Sequence, residues 1–200
     1  MFNENELSYL IKYFEEKDRL REEILKLSRE ITKDCALTIR KIHKRKEVSL
    51  EEIFEKLRQL NELVKKHVDF EKYASTPQQE FVEAKALYDI IFNNKIPTYK
   101  EFEFIKEENY ILGLCDVIGE LRRALLDAIK DDNKELAEKY FNYMEEIYDF
   151  IMKFDHYHVI DNLRRKQDIS RSILEKTHGD LINYIENLKL REELRKWKEK

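Results

Sequence analysis

Glycine and proline are scarce in this chain, with 3 and 2 among 200 residues, about a fifth of the roughly 12% usual for the two together. Antiparallel sheets turn often, and the positive-φ positions of their turns are filled mainly by Gly or Asn. A β-sandwich or β-barrel is therefore excluded. The glycines stand at 113, 119 and 179, so the clustered glycines of a dinucleotide fingerprint or a phosphate-cradling P-loop are absent. Cysteine is equally sparse: Cys35 and Cys115 lie far apart with no CxxC spacing, which points neither to a disulfide framework nor to a thiolate zinc site. No stretch approaches 18 uncharged apolar residues, and the opening MFNENELSYL lacks the basic and then apolar pattern of a secretion signal. A cytoplasmic protein without a membrane segment is expected.

What the chain does contain is apolar side chains at helical spacing. They make up 42% of the residues, with 11 Phe, 11 Tyr and one Trp, enough for a core and against disorder. Leu20, Ile24, Leu27, Ile31, Cys35, Ile39 and Ile42 mark one face of a helix over about 4–46. Ser49 with Glu52 reads as a capping box opening a helix to about 70. Thr76, Pro77 and Gln79 read as a cap, an N1 proline and a second box for a helix reaching Asn93. Asn93-Asn94-Lys95-Ile96-Pro97 is the one strongly loop-like segment. Beyond it the pattern predicts a short helix over 98–105, longer ones over 107–130 and 133–153, the latter boxed by Asp132 and Glu135, and a last one over 157–197. The expected architecture is all-α: one domain over residues 1–200, a bundle of six or seven helices with long first and last members.

The formal net charge is −4, which argues against a uniformly basic nucleic-acid binder but hides segregation. Residues 26–46 hold eight Lys and Arg against two acids, whereas residues 101–160 hold fifteen acids against seven bases. Two acidic pairs stand out by their surroundings. Glu80 and Glu83 lie one turn apart in QEFVEAKAL. Asp116 and Glu120 lie at i and i+4 in YILGLCDVIGEL, a segment so apolar that it should be buried. A buried carboxylate is costly without compensation. Either a base answers Asp116, from Arg122, Arg123 or another helix, or the four carboxylates form the hard oxygen set that Mg²⁺ or Mn²⁺ prefers. A cation there would activate water against a phosphodiester. Exposed pairs such as Glu52/Glu55 and Glu135/Glu138 read as solvated surface. Gly113 and Gly119 each cost about 1 kcal/mol relative to Ala in a helix, which points to close packing or ligand approach. The five histidines read as surface or core residues, and Cys115 as a packed helix residue. Two basic clusters, residues 40–46 and Leu163-Arg164-Arg165-Lys166, suit phosphate backbones.

These blocks resemble those of the translin/Trax family in order and spacing over nearly the whole chain: KLSREIT at 26–32, QEFVEA at 79–84, YILGLCDVIGEL at 110–121 and LRRKQD at 163–168. The resemblance implies an all-α fold that assembles into closed octameric shells enclosing RNA or single-stranded DNA. Trax-type members carry a Mg²⁺-dependent endoribonuclease site, and translin-type members bind nucleic acid without one. Glu80, Glu83, Asp116 and Glu120 match the Trax-type acidic positions, so the resemblance implies metal ligation and catalysis there. The compact form is similar to prokaryotic, archaeal-type Trax-like members, which make homo-oligomers. Arg123, one turn past Glu120, is the candidate phosphate clamp. Arg40, Lys41, Lys44, Arg45 and Arg164 are the candidate strand guides. Two other readings stand beside this one: a translin-like binding shell without turnover, and an all-α Mg²⁺-dependent nucleoside-triphosphate pyrophosphohydrolase, whose second acidic pair is usually spaced i, i+3 instead of i, i+4.

Overall fold

The computed structural model describes residues 3–198. In chain order it contains α1 (Glu4–His43), α2 (Glu51–Lys66), a 3-10 segment (Val68–Ala74), α3 (Ser75–Asn93), a single 3-10 turn (Tyr99–Glu101), α4 (Glu107–Lys130), α5 (Lys134–Met152) and α6 (Leu163–Lys198). No strand occurs among the described residues.

A chain this poor in glycine must end its helices by other means. Arg45 takes a left-handed φ of 56° after α1. The Arg45 and Lys46 amides then donate to Ile42 and Lys41, closing a Schellman turn. Asp132 does the same after α4 at φ 53°, with the Asp132 and Asn133 amides donating to Ile129 and Ala128. Asn94 ends α3 at φ 54°. Helix α1 therefore stops at His43, short of 46.

Helix starts also differ from the sequence pattern. Ser49 accepts from the Glu51 amide at 3.2 Å, while Glu52 turns outward to Lys56. Helix α3 continues directly from the 3-10 segment and needs no side-chain cap; Gln79 donates instead to the Ser75 hydroxyl at 3.0 Å. Asn133, not Asp132, caps α5 by accepting from Leu136 at 3.0 Å, and Asp132 is held by Arg191. The predicted helix over 98–105 shrinks to one turn closed by a Thr98/Glu101 capping box. Asn162, left-handed at φ 64°, delays α6 to Leu163.

Helix α4 is the centre of the bundle. Its Leu114, Val117, Ile118, Leu121 and Leu125 are almost fully buried, and α3, α5 and α6 all pack on it. Helices α3 and α4 run parallel: Ser75 donates to Asn109 at one end, and Ile91 shares a cavity wall with Ala124 and Ala128 at the other. Gly113 makes their contact possible. A Cβ there would stand 2.7 Å from the Val82 Cβ and 2.8 Å from the Gln79 carbonyl oxygen. At Gly119 nothing lies within 4 Å of that position, so packing explains the first glycine and not the second.

Candidate active site

With α3 and α4 pressed together at Gly113, the residues one turn further along both helices face each other. Glu80, Glu83, Asp116 and Gly119 line one side of a cleft of about 630 Å³, and Arg165 and Lys166 of α6 line the other. Helical spacing places Ile169, Ser170 and Ile173 below Arg165 and Lys166 on the same wall.

The carboxylates act on one another's ionisation. Burial pushes the Glu83 carboxyl up to about 8, and the negative charges of Asp116, Glu80 and Glu120 push the same way, against Lys166. Glu80 is also raised, by burial and then by Asp116. Glu120 is lowered because His43 hydrogen-bonds to it. Two side chains from distant helices are partners to half of the set. Lys166 donates to Asp116 Oδ2 at 2.5 Å, to Gln79 Oε1 at 3.0 Å and to the Leu112 carbonyl at 3.2 Å. His43 Nε2, on a side chain only 4% exposed, stands 2.5 Å from Glu120 Oε2. Among the described residues Glu80 and Glu83 have no ion-pair partner, and no three acidic, His or Cys side chains stand ready to chelate an ion. The base answering Asp116 is thus a lysine from α6; Arg122 goes instead to Asp180 and Thr177, at 2.6 and 2.7 Å.

The fold puts Glu80, Glu83 and Asp116 on one cleft wall, with Glu120 outside the cleft lining but near enough to raise Glu83, and it sorts the basic residues. Arg40, Lys41 and Lys44 are exposed on the last turn of α1 and just beyond it, and Arg45 lays its guanidinium 5.6 Å from the Tyr140 ring. Arg123 is exposed one turn past Glu120, whose carboxyl it helps to lower. Arg164 points to solvent, and it is Arg165 and Lys166 that reach the cleft. From the sequence Lys166 reads only as part of a basic cluster and His43 only as a surface or core residue; neither is matched to a carboxylate. For Lys166 a signal existed, since it shares helical spacing with Ser170 and Ile173; for His43 there was none. Cys115 also lines the cleft, but its thiol donates to the Ile111 carbonyl at 3.3 Å and burial pushes it up to about 12, so it is no nucleophile.

The four carboxylates stand inside a segment that the Translin family model matches, residues 19–179. The chain belongs to the translin family. This translin-family chain is 62% identical over 197 residues to the uncharacterized protein MJ0175 of Methanocaldococcus jannaschii, covering 96% of this chain and 88% of that one. Among solved structures, apo-NeC3PO superposes with a TM-score of 0.80 at 26% identity, over 89% of this chain and 96% of that one. AfC3PO superposes at 0.73 and 30% identity, and an AfC3PO complex with duplex RNA at 0.70 and 28%, each over 90% of this chain and 96% of the other. The all-α architecture read from the sequence is thus that of the family, and no helix among the described residues is long and apolar enough to cross a membrane.

Proposed function

We propose that this translin-family chain is a metal-dependent endoribonuclease subunit that works in a cytoplasmic homo-oligomeric shell, an octamer by family likeness, and binds RNA or single-stranded DNA inside it. The observation that carries the reading is the placement of Glu80, Glu83 and Asp116 opposite Arg165 and Lys166, with Glu120 close enough to raise Glu83. The likeness to AfC3PO, solved with duplex RNA, supports the substrate class.

The donor set would suit a hard divalent ion: Glu80, Glu83 and Asp116 line the cleft beside open space over Gly119, and Glu120 lies one turn beyond Asp116, near enough to raise Glu83. Glu80, Glu83, Asp116 and Glu120 would hold Mg²⁺ or Mn²⁺, which supplies a water of lowered pKa and neutralises charge on the phosphodiester. Around it, Glu83 orients the attacking water. Arg165 and Lys166 hold phosphate oxygens from the opposite wall, and Arg123 clamps from beyond Glu120. His43 keeps Glu120 ionised and fixed in direction. Arg40, Lys41, Lys44, Arg45 and Arg164 would guide the strand into the assembly.

One observation favours binding without turnover: Asp116 and Glu120 already have cationic or hydrogen-bonding partners within the chain. Labelled RNA incubated with Mg²⁺ decides between the two. Cleavage that disappears in Glu80→Ala and Asp116→Ala, with RNA binding kept, is expected. Binding by the wild type with no metal-dependent cleavage would sink the nuclease reading.

A further inference from the structure

Four side-chain amides lead away from Lys166, and two of them, Gln78 and Asn109, are only 3% and 2% exposed. They bond in series. Asn61 donates to the Phe104 carbonyl at 3.1 Å, Gln78 to Asn61 at 2.8 Å, Asn109 to Gln78 at 2.8 Å, Gln79 to Asn109 at 3.1 Å, and Lys166 to Gln79 at 3.0 Å. The series joins α2, α3 and α4 to the ammonium on α6.

An amide can be turned end for end without changing its shape, so only its partners fix its direction. Here they do. A carbonyl oxygen such as that of Phe104 only accepts, and an ammonium only donates. Midway, the Lys106 main-chain N–H, also purely a donor, meets Gln78 Oε1 at 3.0 Å. Turning any one amide would set donor against donor on one side and acceptor against acceptor on the other. All the amide oxygens therefore point along the series toward Lys166, and bonds aligned in this way strengthen one another. Ser75 locks the step next to the cleft: its hydroxyl donates to Asn109 at 2.7 Å and accepts from Gln79 at 3.0 Å.

The ammonium at the end of the series has no N–H to spare. It carries three, and they go to Asp116, Gln79 and the Leu112 carbonyl. A divalent ion on Asp116 would take the first of these acceptors and leave the two neutral ones. The Leu112 carbonyl is fixed by the backbone of α4. Gln79 is a flexible side chain, and the series behind it holds its oxygen in place.

We propose that Gln79 is a positioning residue. With Asn109, Gln78 and Asn61 behind it, Gln79 keeps the Lys166 ammonium on the cleft wall when Asp116 turns to a divalent ion, and the N–H released there meets a phosphate oxygen of the bound strand. This role rests on the cleft being a metal-assisted phosphodiester site.

A double-mutant cycle on the full-length protein tests it, with Gln79→Met, Lys166→Met and both together. The readout is affinity for a labelled single-stranded RNA, by fluorescence anisotropy in Ca²⁺ and in EDTA. Met keeps the length of the glutamine and removes its oxygen, and Gln79 is half-buried, so wild-type circular dichroism is expected. Gln79→Met should weaken binding about tenfold in Ca²⁺, within the range shared by neighbours in one network. The loss should be smaller in EDTA, where Asp116 still holds Lys166. In the Lys166→Met background the substitution should change nothing. No loss in Ca²⁺, an equal loss with and without the ion, or the same loss once Lys166 is gone would each overturn the role. Should Gln79→Met unfold, Asn61→Ala at the far end of the series takes its place, with about a threefold loss expected in the same pattern and no loss overturning the role. Cleavage of the RNA in Mg²⁺ is followed in parallel. A wild type that cleaves without this coupling loses the role of Gln79 alone, and one that couples without cleaving loses the nuclease alone. A wild type that neither binds nor cleaves loses both.

Discussion

Replacing Lys166 by Met keeps most of the side-chain length and removes the ammonium bonded to Asp116. The pair is half-buried, with side-chain exposures of 22% for Lys166 and 38% for Asp116. Fully exposed pairs are worth 0–1 kcal/mol and breaking fully buried ones costs about 3–5 kcal/mol, so a loss of about 2 kcal/mol in the absence of divalent ions is expected. The same change has an opposite effect on cation binding. In the wild type an incoming divalent ion must displace the ammonium from Asp116, and Glu80 and Glu83 are already partly neutralised by Lys166. Without it the carboxylates repel one another unrelieved, and each 1.4 kcal/mol released by an ion appears as about tenfold in affinity. Lys166→Met should therefore unfold earlier in urea with EDTA, yet bind Mn²⁺ or Mg²⁺ about tenfold more tightly by titration calorimetry. A variant that binds either ion no better than the wild type would refute the idea that Lys166 stands where a cation belongs.

Three further outcomes are expected. Gly113→Ala should cost about 1–3 kcal/mol despite its better helix propensity, because its Cβ meets Val82 and the Gln79 carbonyl, whereas Gly119→Ala should gain up to about 1 kcal/mol; denaturant unfolding that ranks them the other way would contradict the packing. Glu101, held down to about 2 by Lys95 and the Thr98 amide, has a folded pKa below its unfolded one, so its stabilisation is present above about pH 4.5 and fades as pH falls toward 2. Glu101→Gln should cost about 1 kcal/mol at pH 7, and the gap in melting between the two proteins should narrow through that acid range. Arg165→Ala should weaken RNA binding and make the plot of log affinity against log salt shallower by about 0.7, one phosphate contact on a single strand; an unchanged slope places Arg165 off the strand.

The helices were legible wherever periodicity was long. The apolar face of α1 and the buried segment of α4 emerge from spacing alone, and the acidic pairs stood out because they interrupt such faces. Helix ends were legible at Asn93 and Lys130 but not everywhere: Arg45 closes α1 early in left-handed geometry that sequence reading assigns to Gly or Asn, and a 3-10 lead-in made the expected Thr76 cap unnecessary. The acidic wall of the cleft was readable in Glu80, Glu83 and Asp116, each of which sits near another acid in sequence. The basic side was harder, because His43 and Lys166 reach their carboxylates from 77 and 50 residues away, and only the packing of α1 and α6 on α4 decides which base arrives.

That separation also bears on how the protein is made. A chain emerging from the ribosome completes α3 and α4 while residues 163–198 are still to be added. At that stage Glu80, Glu83 and Asp116 lack the basic wall opposite them, although His43 of α1 can already meet Glu120, and Glu83, raised by burial and then by its acidic neighbours, adds a cost to folding early. Long-range closure by α6 removes the repulsion and covers the apolar flank of α4 in one step. The cleft is consequently finished by the last helix to be synthesised, and an interrupted chain would lack its basic wall.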